Sequence, residues 1–237
     1  MPELKSIYDF PAGEVLLFDK KTNWTSFDLV QRVRNALCRE MGIKKLKVGH
    51  AGTLDPLATG LMILCTGKAT KKIESFQQEE KIYVATLKLG ATTPSFDMET
   101  EEDSNSDISE ITAEEFTVVA KEFEGETEQV PPLFSAVKVK GKRAFEYARK
   151  GNNIKLQPKK IVIKKIKLLM FEPPLATIEV TCGKGTYIRA LARDIGQELG
   201  CGAYLTGLRR TKIGSFSVEN AMDIDEFMAN ISHFVST

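Results

Sequence analysis

The segment Val48-Gly49-His50-Ala51-Gly52-Thr53-Leu54-Asp55-Pro56-Leu57-Ala58-Thr59-Gly60 concentrates the residue types that do chemistry. It holds one carboxylate, one imidazole, a proline and three glycines. Glycine lacks a Cβ, so such a loop lets main chain come close to a ligand. Pro56 lacks a donor and disfavours the helical basin for Asp55, which holds the carboxylate in an extended turn. A carboxylate facing a cleft can act as a nucleophile or as a base. Aspartate before proline also commonly caps the next turn, and from the pair alone both readings stand. His50 has no neighbouring acid, so it reads as a ligand contact or a hydrogen-bonded turn histidine rather than an acid–base group. No Gly-Lys-Ser/Thr closes the loop, which excludes a Walker-type phosphate site. Cys38, Cys65, Cys182 and Cys201 form no C-x-x-C pair, and His233 is the only other histidine, so neither a zinc site nor a disulfide framework is supported. A hydrolase would need a G-x-S-x-G serine or a Cys–His pair, and neither is present.

Alternating helices and strands must position this loop. Val15–Phe18 reads as a strand. Thr25-Ser26 caps a helix in which Leu29, Val30, Val33 and Leu37 recur at helical spacing. Leu61–Cys65 is a short buried strand, followed by a basic helix from Ala69 and a strand over Ile82–Leu89. Asp97–Ser109 is acidic, without apolar period, and reads as a mobile loop. Thr112 opens a helix through Phe123, and Pro131-Pro132 then breaks the pattern before a long excursion. Ile161–Phe171 and Ala176–Cys182 form a hairpin. A helix over Tyr187–Leu199, a strand near Leu205–Ile213 and a helix over Ile224–Phe234 complete the chain. The class is α/β (α+β), a mixed sheet with helices packed on it.

The 237 residues suffice for a sizeable core, in one large domain or one domain with an appendage. With 33 Lys+Arg against 32 Asp+Glu the net charge is +1, so the whole surface is not that of a basic nucleic-acid binder. The charge is nevertheless segregated. Residues 97–128 carry thirteen acids and one base, net −12, and residues 138–167 carry twelve bases and one acid, net +11. Either the two stretches are solvated faces that pair with each other, or the basic one is a surface for a polyanion. Phe145, Tyr147 and Gly141 within the basic run favour the second reading. No run approaches ~18 apolar residues and the N-terminus lacks an apolar leader, so the expectation is a cytoplasmic, soluble, metal-free protein with no membrane association.

Five separated motifs carry a family resemblance. Gly49–Gly60, followed by Gly67-Lys68-Ala69-Thr70-Lys71, resembles the catalytic motif of TruB-type tRNA pseudouridine synthases, G-H-x-G-x-L-D-P-x-A-x-G then G-x-A-T-K. Lys81-Ile82-Tyr83 leading to Leu89-Gly90, Gly183-Lys184-Gly185-Thr186-Tyr187-Ile188-Arg189 and Leu208-Arg209-Arg210 are similar to three further motifs. Gln129–Lys138 with Tyr147-Ala148-Arg149 resembles the RNA-gripping thumb of that family. The resemblance spans about residues 14–215, in order. It departs at Lys20-Lys21, where the family usually has Lys-Pro, an exchange expected only to loosen a turn. Only about twenty residues follow Phe216, so the C-terminal PUA-type domain of many relatives is expected to be lacking.

The resemblance implies a single catalytic domain over residues 1–237, a pseudouridine synthase core with a largely antiparallel sheet and residues 124–156 as the thumb. It implies isomerisation of uridine 55 in the T-loop of tRNA, by base flipping, glycosidic cleavage and C–C reattachment. Nothing is oxidised, reduced or hydrolysed, so no cofactor is needed. Glycosidases use a carboxylate at the same carbon together with a second carboxyl, and no second one lies in these motifs. Uracil can leave as a stabilised anion, so Asp55 alone serves as the catalytic residue. Arg189 is implied to pair with Asp55 and hold it charged; the other reading is a phosphate or surface arginine. Tyr83 is implied to stack on the base, the alternative being a core strand tyrosine. His50, Lys68, Tyr187 and Leu208 complete the substrate contacts. The partner is the T-arm stem-loop of tRNA, bound by a monomer, with assistance to tRNA folding as an added activity. A non-catalytic RNA-binding protein on the same scaffold is the rival reading.

Overall fold

The structure, a computed structural model, describes residues 8–135, 137–139, 141–151 and 154–235. Of the positions discussed above, the N-terminus before Tyr8, Ala136 and Lys140 lie outside these residues. The elements begin with β1 (Val15–Lys20), α1 (Ser26–Glu40), β2 (Val48–His50) and β3 (Thr59–Thr66). A 3-10 turn (Gly67–Lys72) runs into α2 (Ile73–Gln78). Next come β4 (Lys81–Leu89), β5 (Ala91–Thr92), β6 (Ser104–Asn105), α3 (Ala113–Glu122) and β7 (Gly125–Gln129). A ribbon of β8 (Lys138–Val139) and β9 (Lys142–Arg143) leads to α4 (Ala144–Ala148), β10 (Lys159–Glu172), β11 (Leu175–Cys182) and α5 (Ile188–Glu198). The chain closes with β12 (Ala203–Ile213), β13 (Phe216–Ser217), α6 (Ile224–Ala229) and α7 (Ile231–Phe234).

Two compact units divide the chain: Met1–Ile82 with Arg209–Thr237, and Tyr83–Leu208. In the first, β1 and β2 pair antiparallel with β3, and β12 runs parallel to β3 at Arg209↔Thr59 and Arg210↔Gly60. Alternation along β1 turns Leu16, Phe18 and Lys20 inward. Helix α1 starts where Thr25 and Asp28 form a reciprocal capping box, and it buries Leu29, Val30, Val33 and Leu37. Leu61, Ile63 and Cys65 form a core with Ala51, Ala69 and Ile213.

In the second unit the strand order is β4-β11-β10-β7, with β10 and β11 an antiparallel hairpin and β7 its edge strand. Strands β4 and β12 run through the boundary and are tied in each unit. Thr211 Oγ1 donates to the Ile82 carbonyl at 3.2 Å in the first, and Thr206 Oγ1 donates to the Thr86 carbonyl at 3.1 Å in the second. The strands are mostly antiparallel with helices packed on them, as expected.

Three local expectations are corrected. The basic helix expected from Ala69 begins as a 3-10 turn and becomes α-helical only at Ile73. The closing helix breaks at Asn230 (φ −108°, ψ 7°), whose side-chain amide donates to the Glu226 carbonyl. The acidic stretch after Asp97 is pinned rather than free. Its strand β6 pairs with β5, Thr92 Oγ1 donates to Asp103, and Glu102 takes both Lys88 and the Tyr204 hydroxyl. Local polar pairing holds this segment in place of an apolar face. The charge segregation is explained in part by strand pairing, since Lys160 on β10 stands opposite Glu128 on β7.

Candidate active site

The turn that carries Asp55 is clamped by main-chain and side-chain bonds of the first unit. Buried Ser26, in the first turn of α1, accepts from the Leu54 N–H at 2.8 Å and donates to the Leu54 carbonyl at 3.0 Å. The Asp55 carbonyl accepts from Ala58 N–H at 3.1 Å, which closes the turn. On the far side of Pro56, its carbonyl accepts from the Asn23 N–H at 2.8 Å. The Lys20 ammonium reaches the same carbonyl at 3.3 Å, and those of Trp24 at 2.6 Å and Lys21 at 3.0 Å. Lys20 is 1% exposed. Burial draws its pKa down to about 8, opposed by the negative charge of Asp55 and reinforced by Arg210. The lysine therefore stands close enough to Asp55 to feel its charge.

Arg210 braces the other end of the loop. It is 1% exposed, and donates to the Leu61 carbonyl at 2.8 Å and the Gly52 carbonyl at 3.2 Å. The glycines allow the chain to approach itself here. A Cβ on Gly60, which sits at φ +104°, would lie 2.3 Å from the Arg210 carbonyl oxygen, and one on Gly49 would lie 2.7 Å from Ile73 Cδ1. His50 is half-buried. Burial lowers its pKa, the Gly52 backbone opposes this, and the Arg210 charge lowers it further, which favours the neutral imidazole. Asp55 itself is half-buried at the head of this clamp.

The second unit builds a polar centre around Arg189. This guanidinium is 4% exposed, so it is not a surface arginine. It donates to the Ser95 carbonyl at 3.1 Å and the Phe134 carbonyl at 2.9 Å, and pairs with buried Asp97 at 3.4 Å. Tyr187 caps α5, and buried Gln129 grips its main chain from both sides, at 2.8 Å to the N–H and 3.1 Å to the carbonyl. Tyr83 on β4 is 9% exposed, and Leu208 on β12 is half-buried.

Residues 39–188 match the family model described as TruB family pseudouridylate synthase (N terminal domain), and residues 189–234 match that of the tRNA pseudouridylate synthase B C-terminal domain. The chain belongs to the TruB family. Over 92% of its length it is 55% identical to tRNA pseudouridine synthase B of Phocaeicola vulgatus, covering 93% of that protein. To the protein of the same name from Parabacteroides distasonis it is 56% identical, over 93% of this chain and 95% of that one. Among solved structures it is similar to a chain of a Cbf5–Nop10–Gar1 complex, with TM-score 0.71 and 28% identity over 94% of this chain. It spans 55% of that longer chain. The curated TruB relatives, matched nearly end to end, establish the activity: the enzyme forms pseudouridine in tRNA and is an isomerase.

Of the TruB-motif residues, the first unit brings Asp55 and His50 together with Lys20 and Arg210. Lys68 is exposed on the 3-10 turn. The second unit brings Tyr187 and Arg189 together through α5. Sequence reasoning overlooked Lys20, Ser26, Asp97 and Gln129 as site residues. Lys20 was visible only as part of a turn, and Lys21 beside it bonds Asp223 and Asp225 at 3.1 and 2.6 Å. Asp97 was hidden as the first of thirteen acids, although its neighbours Ser95 and Phe96 carry no charge. Among the described residues no group of three or more His, Cys, Asp or Glu could hold a metal ion, and no helix is long and apolar enough to cross a membrane.

Proposed function

We propose that the enzyme acts on uridine 55 in the T-loop of tRNA, with Asp55 as the catalytic carboxylate. The C1′–N1 bond breaks, the uracil turns, C5 bonds to C1′, and the proton from C5 is released as N1 regains one. Asp55 serves as a nucleophile at the ribose or as a base upon it, and the uracil departs as an anion that the site must hold. The observation that carries the assignment is the clamp on both sides of Asp55. Ser26 fixes the residue before it, while Lys20 and Asn23 fix the residue after it, as a turn that must aim one carboxylate requires. A turn cap alone would not need a buried ammonium beside it.

By the motifs they occupy, Tyr83 is assigned to the base, Arg189 to holding charge at the reacting centre, and His50, Leu208, Lys68 and Tyr187 to the flipped nucleotide and its backbone. Residues 124–156 are the thumb of one catalytic domain, working as a cytoplasmic monomer on the T-arm, with tRNA folding as a second outcome of the same grip. Within the thumb the Arg143 and Arg149 guanidinium groups lie 5.9 and 5.3 Å from the centroid of the Phe145 ring, and the Tyr147 hydroxyl donates to the Val139 carbonyl at 3.3 Å, an arrangement that supports a structured basic surface.

The test is Asp55→Asn on a T-arm stem-loop, with pseudouridine mapped by carbodiimide-stop sequencing. The expected result is loss of product while RNA affinity falls little. Turnover within about tenfold of wild type, or product at another uridine, would reject this reading.

A further inference from the structure

The first unit carries a cleft along α1 that shares Asn23 and Trp24 with the clamp. Its volume is about 630 Å³, and its lining includes Trp24, Gln31, Arg32, Asn35 and Arg39. Trp24 is the sole tryptophan of the chain. The polar residues at 28, 32, 35 and 39 recur at helical spacing, so they stand on one face of α1. The Arg32 guanidinium lies 5.9 Å from the centroid of the Trp24 ring. The acid in the lining, Asp28, is engaged by the N–H and hydroxyl of Thr25 at 2.9 and 2.6 Å. Asp28 stays ionised, and the two arginines outnumber it, so the lining carries a net charge of +1.

Two residues of its lining are bonded to the catalytic turn. Asn23 and Trp24, at its rim, are joined to Pro56 by the Asn23 N–H and by the Lys20 ammonium that bridges the Trp24 and Pro56 carbonyls. Asn23 and Trp24 are thus linked to the residue that follows Asp55. An indole face, two guanidinium groups and side-chain amides together match an unpaired nucleotide: ring against base, arginines against phosphate, amides against base edges. An apolar peptide would leave those groups without partners. We propose that this cleft receives an unpaired nucleotide of the tRNA loop flanking the uridine that is extruded. The proposal rests on the T-loop reading given above, and it adds a second base-binding position to the enzyme.

Trp24 supplies its own reporter. Intrinsic fluorescence of the full chain is titrated with a T-arm stem-loop, pseudouridine in the same stem-loop being mapped in parallel. Saturable quenching of Trp24 that tracks binding is expected. Trp24→Ala is expected to weaken affinity roughly tenfold, with Trp24→Phe retaining most of it because a stacking ring remains. Arg32→Gln with Arg39→Gln is expected to lower the salt slope of binding by about 1.4. Thermal melts establish that each variant is folded. Unchanged emission at saturating stem-loop, or a double variant with unaltered affinity and slope, overturns the proposal and leaves the cleft to a protein partner. Product formed at a different uridine would instead reject the T-loop reading, and the emission change would still report on the cleft.

Discussion

Replacing Ser26 with alanine removes one oxygen and tests the clamp directly. In the folded enzyme that hydroxyl satisfies the main chain of Leu54, accepting at 2.8 Å and donating at 3.0 Å, with both residues 3% exposed. Alanine fits the same space in the first turn of α1, so helix propensity is not lost. What is lost is the partner of a buried N–H and of a buried carbonyl. Leaving such groups unsatisfied costs ~1–3 kcal/mol each, and because the hydroxyl has only one proton to give, the total is about 2–3 kcal/mol. For a chain of this size that lowers Tm by roughly 5–10 °C. Leu54 immediately precedes Asp55, so relaxation of its main chain shifts the carboxylate, and misplacement of that kind reduces kcat about ten- to a hundredfold. Thermal unfolding and single-turnover pseudouridine formation are the two assays. A variant that melts within about 1 °C of wild type and turns over within twofold would show that water or a rearranged turn replaces the hydroxyl, and the clamp argument would fail.

Lys20, drawn to about 8, loses its proton as the pH passes that value, so activity is expected to decline above pH 8 and the decline to vanish in Lys20→Met. Stability follows the opposite sign for this group: below about pH 8 both states are protonated, and between there and the ordinary 10.5 the unfolded chain holds more protons, so its contribution to stability rises with pH. Gly60→Ala is expected to cost more than about 3 kcal/mol in denaturant unfolding, because the new Cβ would meet the Arg210 main chain at 2.3 and 2.7 Å on a parallel strand that cannot move aside. Neutralising Lys138, Lys142 and Arg143 is expected to reduce the log–log salt slope of tRNA binding by roughly 0.7–0.9 for each phosphate no longer neutralised, and an unchanged slope would mark the ribbon as a solvated face.

By itself the sequence determined the long strands, the principal helices and the turn that holds Asp55. Those depend on short-range patterns: the Thr25–Asp28 cap, the alternation along β4 and β1, and the Asp55-Pro56 turn between glycines. Tertiary structure decided what surrounds them. The motif glycines were legible as permissive positions, but not that Gly60 makes room for the Arg210 main chain rather than for a ligand, because that approach joins positions 150 residues apart. The charge of Asp97 gave no sign of being buried against Arg189, since a carboxylate in an acidic run is ordinarily solvated. Lys20 read only as part of a loosened turn, yet the alternation of β1 turns it inward, where three carbonyls receive it. Local pattern fixes which residues form an element. Which buried polar group finds which partner is set only when distant segments meet, since each must replace the water it gives up.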